Sequence, residues 1–168
     1  MKLFLNLIIL FLSLQIHAVV LKEGDNAPLF TLKNQDGKEI SLQSRQGKWT
    51  VLYFYPKSET PGCTKQACAF RDSINEIRKL NADVIGVSVN SVAEQAEFKK
   101  HHNLNFELLA DEKGTVTDLY GAKMIVVTMA KRWTFILNPE LKIKSIDRDV
   151  DPVKDATHVL EKLQSLQK

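Results

Sequence analysis

Residues 49–63 read WTVLYFYPKSETPGC and contain the transition on which the predicted fold depends. Trp49 to Tyr55 are β-branched, aromatic or otherwise apolar, a composition that favours a central strand buried on both faces. Pro56 ends this strand, and Pro61-Gly62 allows a sharp turn. From Cys63 to Leu80 the apolar side chains recur at helical spacing. The sequence therefore predicts a buried strand followed by a helix, with a cysteine at the junction.

Strands and helices alternate on both sides of this unit. Asp25 to Leu32 and Lys38 to Leu42 flank a turn and predict an N-terminal β-hairpin. The remaining predicted elements are strands at Asp83–Val89, Phe106–Leu109, Arg132–Leu137 and Leu141–Ile146, helices at Ser91–His102 and Pro152–Leu166, and a short helix within Asp111–Tyr120. This order is typical of an α/β fold with a central mixed β-sheet flanked by helices. The sequence has no internal repeat or linker, so residues 19–168 are predicted to form one domain.

Composition excludes several classes of protein. The 168 residues carry 23 Lys+Arg against 20 Asp+Glu, a net charge of +3. A charge so small and dispersed argues against nucleic-acid binding. Two cysteines are too few for a disulfide-dense scaffold or a four-thiolate metal site. The function must therefore depend on a few residues.

The first 18 residues have the pattern of a secretory signal peptide. Met1-Lys2 is a short positive start, Leu3 to Leu12 is almost wholly apolar, and Ala18 is the expected last residue removed. The alternative is an uncleaved membrane anchor, but the apolar run is shorter than the ~20 residues that a bilayer span needs. We therefore expect an exported protein, periplasmic or secreted, without stable membrane association after cleavage.

Cys63 and Cys68 suggest redox chemistry. A helix start favours the thiolate form of Cys63, because its backbone N–H groups and dipole are positive there. If both cysteines share an unbroken helix, their Cα atoms lie about 8–9 Å apart, whereas a disulfide needs Cα atoms within about 7 Å. A bond that requires local unwinding favours a transient redox step. A structural disulfide is the alternative.

The chain resembles the peroxiredoxin family. Pro56-x-x-x-Thr60-x-x-Cys63 resembles the family's active-site motif, and the longer string from Tyr53 to Cys68 resembles the peroxiredoxin Q, or bacterioferritin comigratory protein, branch. Arg132-x-Thr134-Phe135 resembles the strand that carries the family's arginine. The resemblance runs from about Gly24 to the C-terminus. It implies a thioredoxin-like fold.

The resemblance also implies a role for each motif residue. Cys63 is expected to be the peroxidatic nucleophile that attacks a hydroperoxide, and Cys68 the resolving thiol. Arg132 is expected to hold the thiolate and polarise the peroxide, Thr60 to hydrogen-bond peroxide oxygen and sulfur, and Pro56 to shield Cys63 from water. The implied partner is a thioredoxin-like or glutaredoxin-like protein reductant, the implied state is a monomer, and no metal, haem or flavin is implied.

Other interpretations remain at this point. A thioredoxin-type thiol–disulfide oxidoreductase usually uses C-x-x-C, which this chain lacks. A non-enzymatic binding or holdase module on the same fold is the third hypothesis. His101-His102 is interpreted as a solvated helix face, since adjacent helix residues point about 100° apart. Met124 to Met129 is apolar and is expected to pack in the core or active site, with a membrane or partner contact as the alternative.

Overall fold

The computed structural model describes residues 20–168, and the predicted signal peptide over residues 1–18 lies outside them. The described chain forms a seven-stranded sheet and four α-helices. The strands are β1 (Thr31–Asn34), β2 (Glu39–Ser41), β3 (Trp49–Phe54), β4 (Ala82–Ser88), β5 (Glu107–Ala110), β6 (Trp133–Leu137) and β7 (Ile143–Asp147). The helices are α1 (Pro61–Lys79), α2 (Val92–His101), α3 (Thr115–Leu119) and α4 (Asp155–Leu166).

The sheet is mixed, as predicted. Its strand order is β2-β1-β5-β4-β3-β6-β7. Strands β3, β4 and β5 are parallel, and the remaining neighbours pair antiparallel. The predicted N-terminal hairpin is present as β1 and β2, and β1 joins the sheet through β5.

Strand β3 is central and buried on both faces, which confirms the prediction from its composition. Alternate side chains enter two separate cores because successive residues of a strand point to opposite faces. Tyr53 and Tyr55 belong to the core beneath α1 and α4, together with Cys63. Leu52 and Phe54 belong to the core on the opposite face. The side chains of β3 therefore pack beneath α1, and α1 begins just beyond the C-terminal end of this strand.

The first strand of the hairpin begins later than predicted. Residues 25–30 form no part of β1, because their backbone pairs elsewhere. Ala27 N–H donates to Leu141 O at 2.8 Å, and Ile143 N–H donates to Asp25 O at 2.9 Å. Residues 25–27 therefore run antiparallel to residues 141–143 at the start of β7.

Two of the other boundary differences have a clear local cause. Leu42, predicted as the end of a strand, begins a 3-10 turn over Leu42–Arg45. The last helix begins at Asp155 rather than Pro152, because a turn over residues 151–154 precedes it. In that turn the Asp151 carboxylate accepts a hydrogen bond from Val153 N–H. Both differences arise from local turns that periodicity does not reveal.

The expectation that Met124 to Met129 packs in the core is wrong for its central residues. Ile125 is 97% exposed and Val126 is 92% exposed. A bridge between Lys123 and Ala130 closes the segment at its base, so the apolar tip projects into solvent. Separately, over residues 20–168 no helix has the length and apolar character needed to cross a membrane.

Candidate active site

Cys63 lies in the first turn of α1, just beyond the C-terminal end of β3. Its side chain is only 1% exposed. The first N–H groups of a helix have no partner within the helix, and the helix dipole is positive at this end. The structure thus places Cys63 at a helix start, the position that the sequence predicted.

Arg132 brings a fixed positive charge to Cys63. Its Nη2 donates to Cys63 Sγ at 3.4 Å across 69 residues of sequence. The sheet register explains this proximity, because Trp133 at the start of β6 pairs with Phe54 at the end of β3. The antiparallel pairing of these strands thus places Arg132 at the edge from which α1 begins.

Gly62 leaves the space that the guanidinium occupies. A Cβ at this position would lie 3.2 Å from Arg132 Nη2, closer than ordinary van der Waals contact. A larger residue would therefore push against the arginine. The glycine between Pro61 and Cys63 thus leaves room for this close approach, whereas the sharp turn predicted at Pro61-Gly62 is absent, because both residues belong to the first turn of α1 and Gly62 has no positive φ.

A buried hydrogen-bonded chain supports Arg132 from behind, and the sequence analysis missed it. Arg132 Nη1 donates to Gln66 Oε1 at 2.6 Å, and Gln66 Nε2 donates to Asp155 Oδ2, also at 2.6 Å. The same carboxylate oxygen accepts from the Thr134 hydroxyl at 2.8 Å. Gln66 is fully buried and Asp155 is 1% exposed. The spacing of Gln66 three residues after Cys63 was the only available signal, and nothing in the sequence marked Asp155.

The environment of Asp155 alters its ionisation. Burial raises the pKa of Asp155 from its ordinary value of 3.8 to about 6, against the opposing effect of hydrogen bonds from Gln66 and Thr134. Removal from water disfavours the charged form of a carboxyl group. Asp155 is therefore a carboxylate at neutral pH and takes up a proton as the pH falls through about 6.

Pro56 and Thr60 lie in the loop between β3 and α1. Pro56 is half-buried directly after Tyr55. Thr60 occupies the N-cap position of α1, but its side chain makes no capping hydrogen bond. Its hydroxyl instead donates to Lys57 O at 2.9 Å, and no hydrogen bond within residues 20–168 joins it to Cys63. The structure thus places Thr60 beside the site with its hydroxyl engaged by the loop.

A buried polar network anchors this loop to β4 and α2. Ser58 N–H donates to Asn90 Oδ1 at 2.9 Å, and the same oxygen accepts from Ser88 Oγ at 2.9 Å. The Tyr55 hydroxyl donates to Gln95 Oε1. Burial raises the pKa of Tyr55 to about 12, so it remains a neutral donor. These contacts hold the residues before Cys63 in one conformation.

Glu59 forms a second anchor, which corrects the interpretation of the histidine pair. Its two carboxylate oxygens each lie 3.0 Å from a ring nitrogen, one from His101 and one from His102. Glu59 has a φ of +63°, an unfavourable conformation for a residue with a Cβ. The helix end thus contacts the active-site loop and is not merely solvated. Among the described residues, no three His, Cys, Asp or Glu side chains are grouped to hold a metal ion.

Cys68 lies on the same helix as Cys63, two turns into α1. Both are free thiols; Cys63 is buried and Cys68 is half-buried. Helix α1 is continuous from Pro61 to Lys79, so both cysteines lie in one unbroken helix, as the estimate of their Cα separation assumed. A bond between these sulfurs requires the first turns of α1 to unwind.

The fold and the site together define a thiol-dependent enzyme of the thioredoxin-like class. A protected thiol lies at a helix start, a guanidinium faces it, and a second thiol is available on the same helix. The AhpC/TSA family model matches residues 23–146. The chain is 43% identical over 146 residues to peroxiredoxin Q, chloroplastic, of Oryza sativa subsp. japonica, covering 86% of this chain and 67% of that protein.

Solved structures agree with this comparison. Peroxidoxin BcpB from Mycobacterium tuberculosis superposes with a TM-score of 0.83 at 32% identity, covering 88% of this chain and 99% of that one. The bacterioferritin comigratory protein of Xanthomonas campestris superposes with a TM-score of 0.79 at 29% identity, covering 83% and 92%. The chain belongs to the AhpC/TSA family, in its peroxiredoxin Q and bacterioferritin comigratory protein branch. It is a thiol-dependent peroxidase with a thioredoxin-like fold.

Proposed function

We propose that the protein reduces hydroperoxides through Cys63 and Cys68, with Arg132 as the cation that holds the reacting thiolate. The observation that carries this assignment is the 3.4 Å contact between Arg132 Nη2 and Cys63 Sγ at the start of α1. A fixed guanidinium stabilises a thiolate and also a peroxide oxygen on which negative charge develops.

The first step is oxidation of Cys63. Its thiolate sulfur forms a bond to the terminal peroxide oxygen, and the O–O bond breaks. The alkoxide or hydroxide that leaves takes up a proton and becomes an alcohol or water. Cys63 becomes a sulfenic acid. In this step Thr60 binds peroxide oxygen, for which its hydroxyl must turn from Lys57 O, and half-buried Pro56 limits access of water.

The second step joins the two cysteines. Helix α1 unwinds at its first turns, and the Cys68 thiolate attacks the Cys63 sulfur, forming a disulfide and releasing hydroxide that is protonated to water. The free state of both thiols and their positions on one helix support this order of events. Because both thiols belong to one chain, the cycle needs no partner subunit, and we propose a monomer.

The proposed substrates are hydrogen peroxide and organic hydroperoxides. The Xanthomonas campestris relative is described in terms of alkyl peroxide reduction activity, which supports the organic class. The proposed reductant is a thioredoxin-like or glutaredoxin-like protein, whose dithiol exchanges with the Cys63–Cys68 disulfide.

Export is a separate proposal that rests on residues 1–18. We propose that this segment is a signal peptide removed after Ala18, leaving residues 19–168 as the mature domain outside the cytoplasm. The reductant must then be available there, such as a membrane-fed thioredoxin-like protein. Expression of the full chain in a bacterium and N-terminal sequencing of the exported protein tests this: a sequence starting at Val19 supports it, and a retained Met1 contradicts it.

Mass spectrometry of the reduced protein after a single addition of peroxide tests the thiol cycle. The wild type should lose the mass of two hydrogens, with Cys63 linked to Cys68. Cys68→Ser should gain one oxygen at Cys63 and then over-oxidise. Cys63→Ser should not react. Equal loss of the first oxidation in both variants would contradict the assigned roles.

A further inference from the structure

The chain from Asp155 to Cys63 has a defined direction of hydrogen bonding. Asp155 as a carboxylate can only accept hydrogen bonds, so the Gln66 group facing it must be the amide NH₂. The Gln66 amide oxygen then faces the opposite way, toward Arg132. Arginine can only donate, so it requires an acceptor there. One orientation of Gln66 satisfies both neighbours, and the buried carboxylate selects it.

Thr134 completes the arrangement at Asp155. Its hydroxyl donates to the same carboxylate oxygen as Gln66, so that oxygen accepts two hydrogen bonds. Asp155 lies in the first turn of α4 and Thr134 lies in β6, one residue beyond Trp133. The carboxylate therefore links α4, β6 and α1 directly behind Arg132.

We propose that Asp155 is a positioning residue for the thiol chemistry: its carboxylate orients the Gln66 amide, and Gln66 in turn holds Arg132 against Cys63. This inference rests on the roles of Cys63 and Arg132 proposed above. Asp155 does not contact the reacting sulfur and acts only through the two intervening side chains.

Titratable groups lie near Asp155, and their fields must be separated from the effect of its hydrogen bonds. They are Asp147 on β7, His158 on α4, Glu23 and Lys162 in the same surface cavity, and Tyr53 and, beyond Gln66, Arg132 toward the sheet. Asp147 carries the same charge as Asp155, yet its only side-chain hydrogen bond within the described chain is with Asp149 N–H. It is therefore a matched control.

Positioning and simple electrostatics predict opposite signs for Asp155→Asn. The substitution removes a negative charge, which by its field alone favours the Cys63 thiolate. It also replaces the charge-assisted hydrogen bond from Gln66 by a neutral one, so the amide is held less firmly with its oxygen toward Arg132. If positioning dominates, thiolate formation becomes harder despite the removal of negative charge.

The experiment follows thiolate absorbance at 240 nm against pH in a Cys68→Ser background, where only one thiol titrates. For Asp155→Asn we expect the midpoint of thiolate formation to rise by about one pH unit, and the rate of oxidation by hydrogen peroxide at pH 7 to fall about tenfold, the loss expected from one charge-assisted hydrogen bond. Asp147→Asn should leave the rate within about twofold and the midpoint unchanged or lower. A midpoint that falls or stays in Asp155→Asn overturns the proposal.

A second background tests the route of the effect. In Arg132→Lys, which lacks the planar fork that Gln66 holds, Asp155→Asn should change the midpoint by less than about 0.3 pH units. A full shift in that background overturns transmission through Arg132. The titration does not need peroxide, so a wild type that reacts slowly with peroxide contradicts the proposed function while leaving this test decisive.

Discussion

Replacing Asp155 by asparagine should remove a loss of stability that the wild type undergoes as the pH rises from 4 to neutrality. Asp155 is 1% exposed, and burial raises its pKa from 3.8 to about 6. The difference of about 2 pKa units, at about 1.4 kcal/mol each, corresponds to a free-energy cost of about 3 kcal/mol for the buried carboxylate. Asparagine has nearly the same shape and carries no charge.

The sign of the pH dependence follows from which state binds the proton more tightly. Below pH 4 the carboxyl is neutral in both states and contributes nothing. Between pH 4 and 6 the unfolded chain loses its proton first, so the stability of the wild type falls as the pH rises. Above pH 6 the full cost is present. The free energy of unfolding of Asp155→Asn minus that of the wild type should therefore rise by about 3 kcal/mol between pH 4 and 7.5.

Urea unfolding at several pH values, with a thiol reductant present and with both proteins compared at each pH, measures this difference. A difference that varies by less than about 1 kcal/mol over this range would refute the reasoning, because the carboxylate would then be as well solvated when folded as when unfolded. A variant that gains stability while losing thiol reactivity would indicate that the buried charge is kept for function.

Three further substitutions test separate contacts. Gly62→Ala adds a Cβ 3.2 Å from Arg132 Nη2 and should displace it, so oxidation of Cys63 should slow several-fold. The thermal midpoint should not fall, since alanine favours the helix. An unchanged rate would show that Arg132 adapts. Gly86→Ala should lower the free energy of unfolding by about 1–3 kcal/mol in urea titrations, because the new Cβ would lie 2.7 Å from the Tyr53 hydroxyl in a packed core. The hydrogen bond from His102 lowers the pKa of Glu59 below its ordinary value, so this contact stabilises the fold above about pH 4.5 and is lost as the pH falls through the lowered pKa. Glu59→Gln should remove that pH dependence. Since Glu59 is half-exposed, the thermal shift should correspond to less than about 1 kcal/mol. A larger loss of stability would indicate that the loop depends on this contact.

The local pattern of the sequence was sufficient to predict the elements that carry the site. The apolar run of β3 and the helical spacing of α1 each act over a few residues, so they can be read without the rest of the chain. The start of α2 is equally local, since Ser91 and Glu94 form a capping box at its first turn. Prediction was weakest where the backbone pairs with distant residues, as residues 25–27 do with the start of β7.

The motif around Cys63 and the resemblance to peroxiredoxins directed attention to Pro56, Thr60, Cys68 and Arg132. The sequence alone gave no distance between any of these side chains. Only the structure shows that Arg132 reaches Cys63, while the Thr60 hydroxyl is bound to the loop.

By itself the sequence determined the strand-to-helix junction, the position of Cys63 at a helix start, and the five-residue separation from Cys68 that forbids a disulfide in an intact helix. Tertiary structure alone decided that Gln66 and Asp155 support Arg132, and that Glu59 meets both histidines. The physical reason is the range of the forces involved. Helix periodicity and capping act between neighbours in sequence, whereas a buried hydrogen bond spanning 89 residues depends on how the sheet brings its elements together.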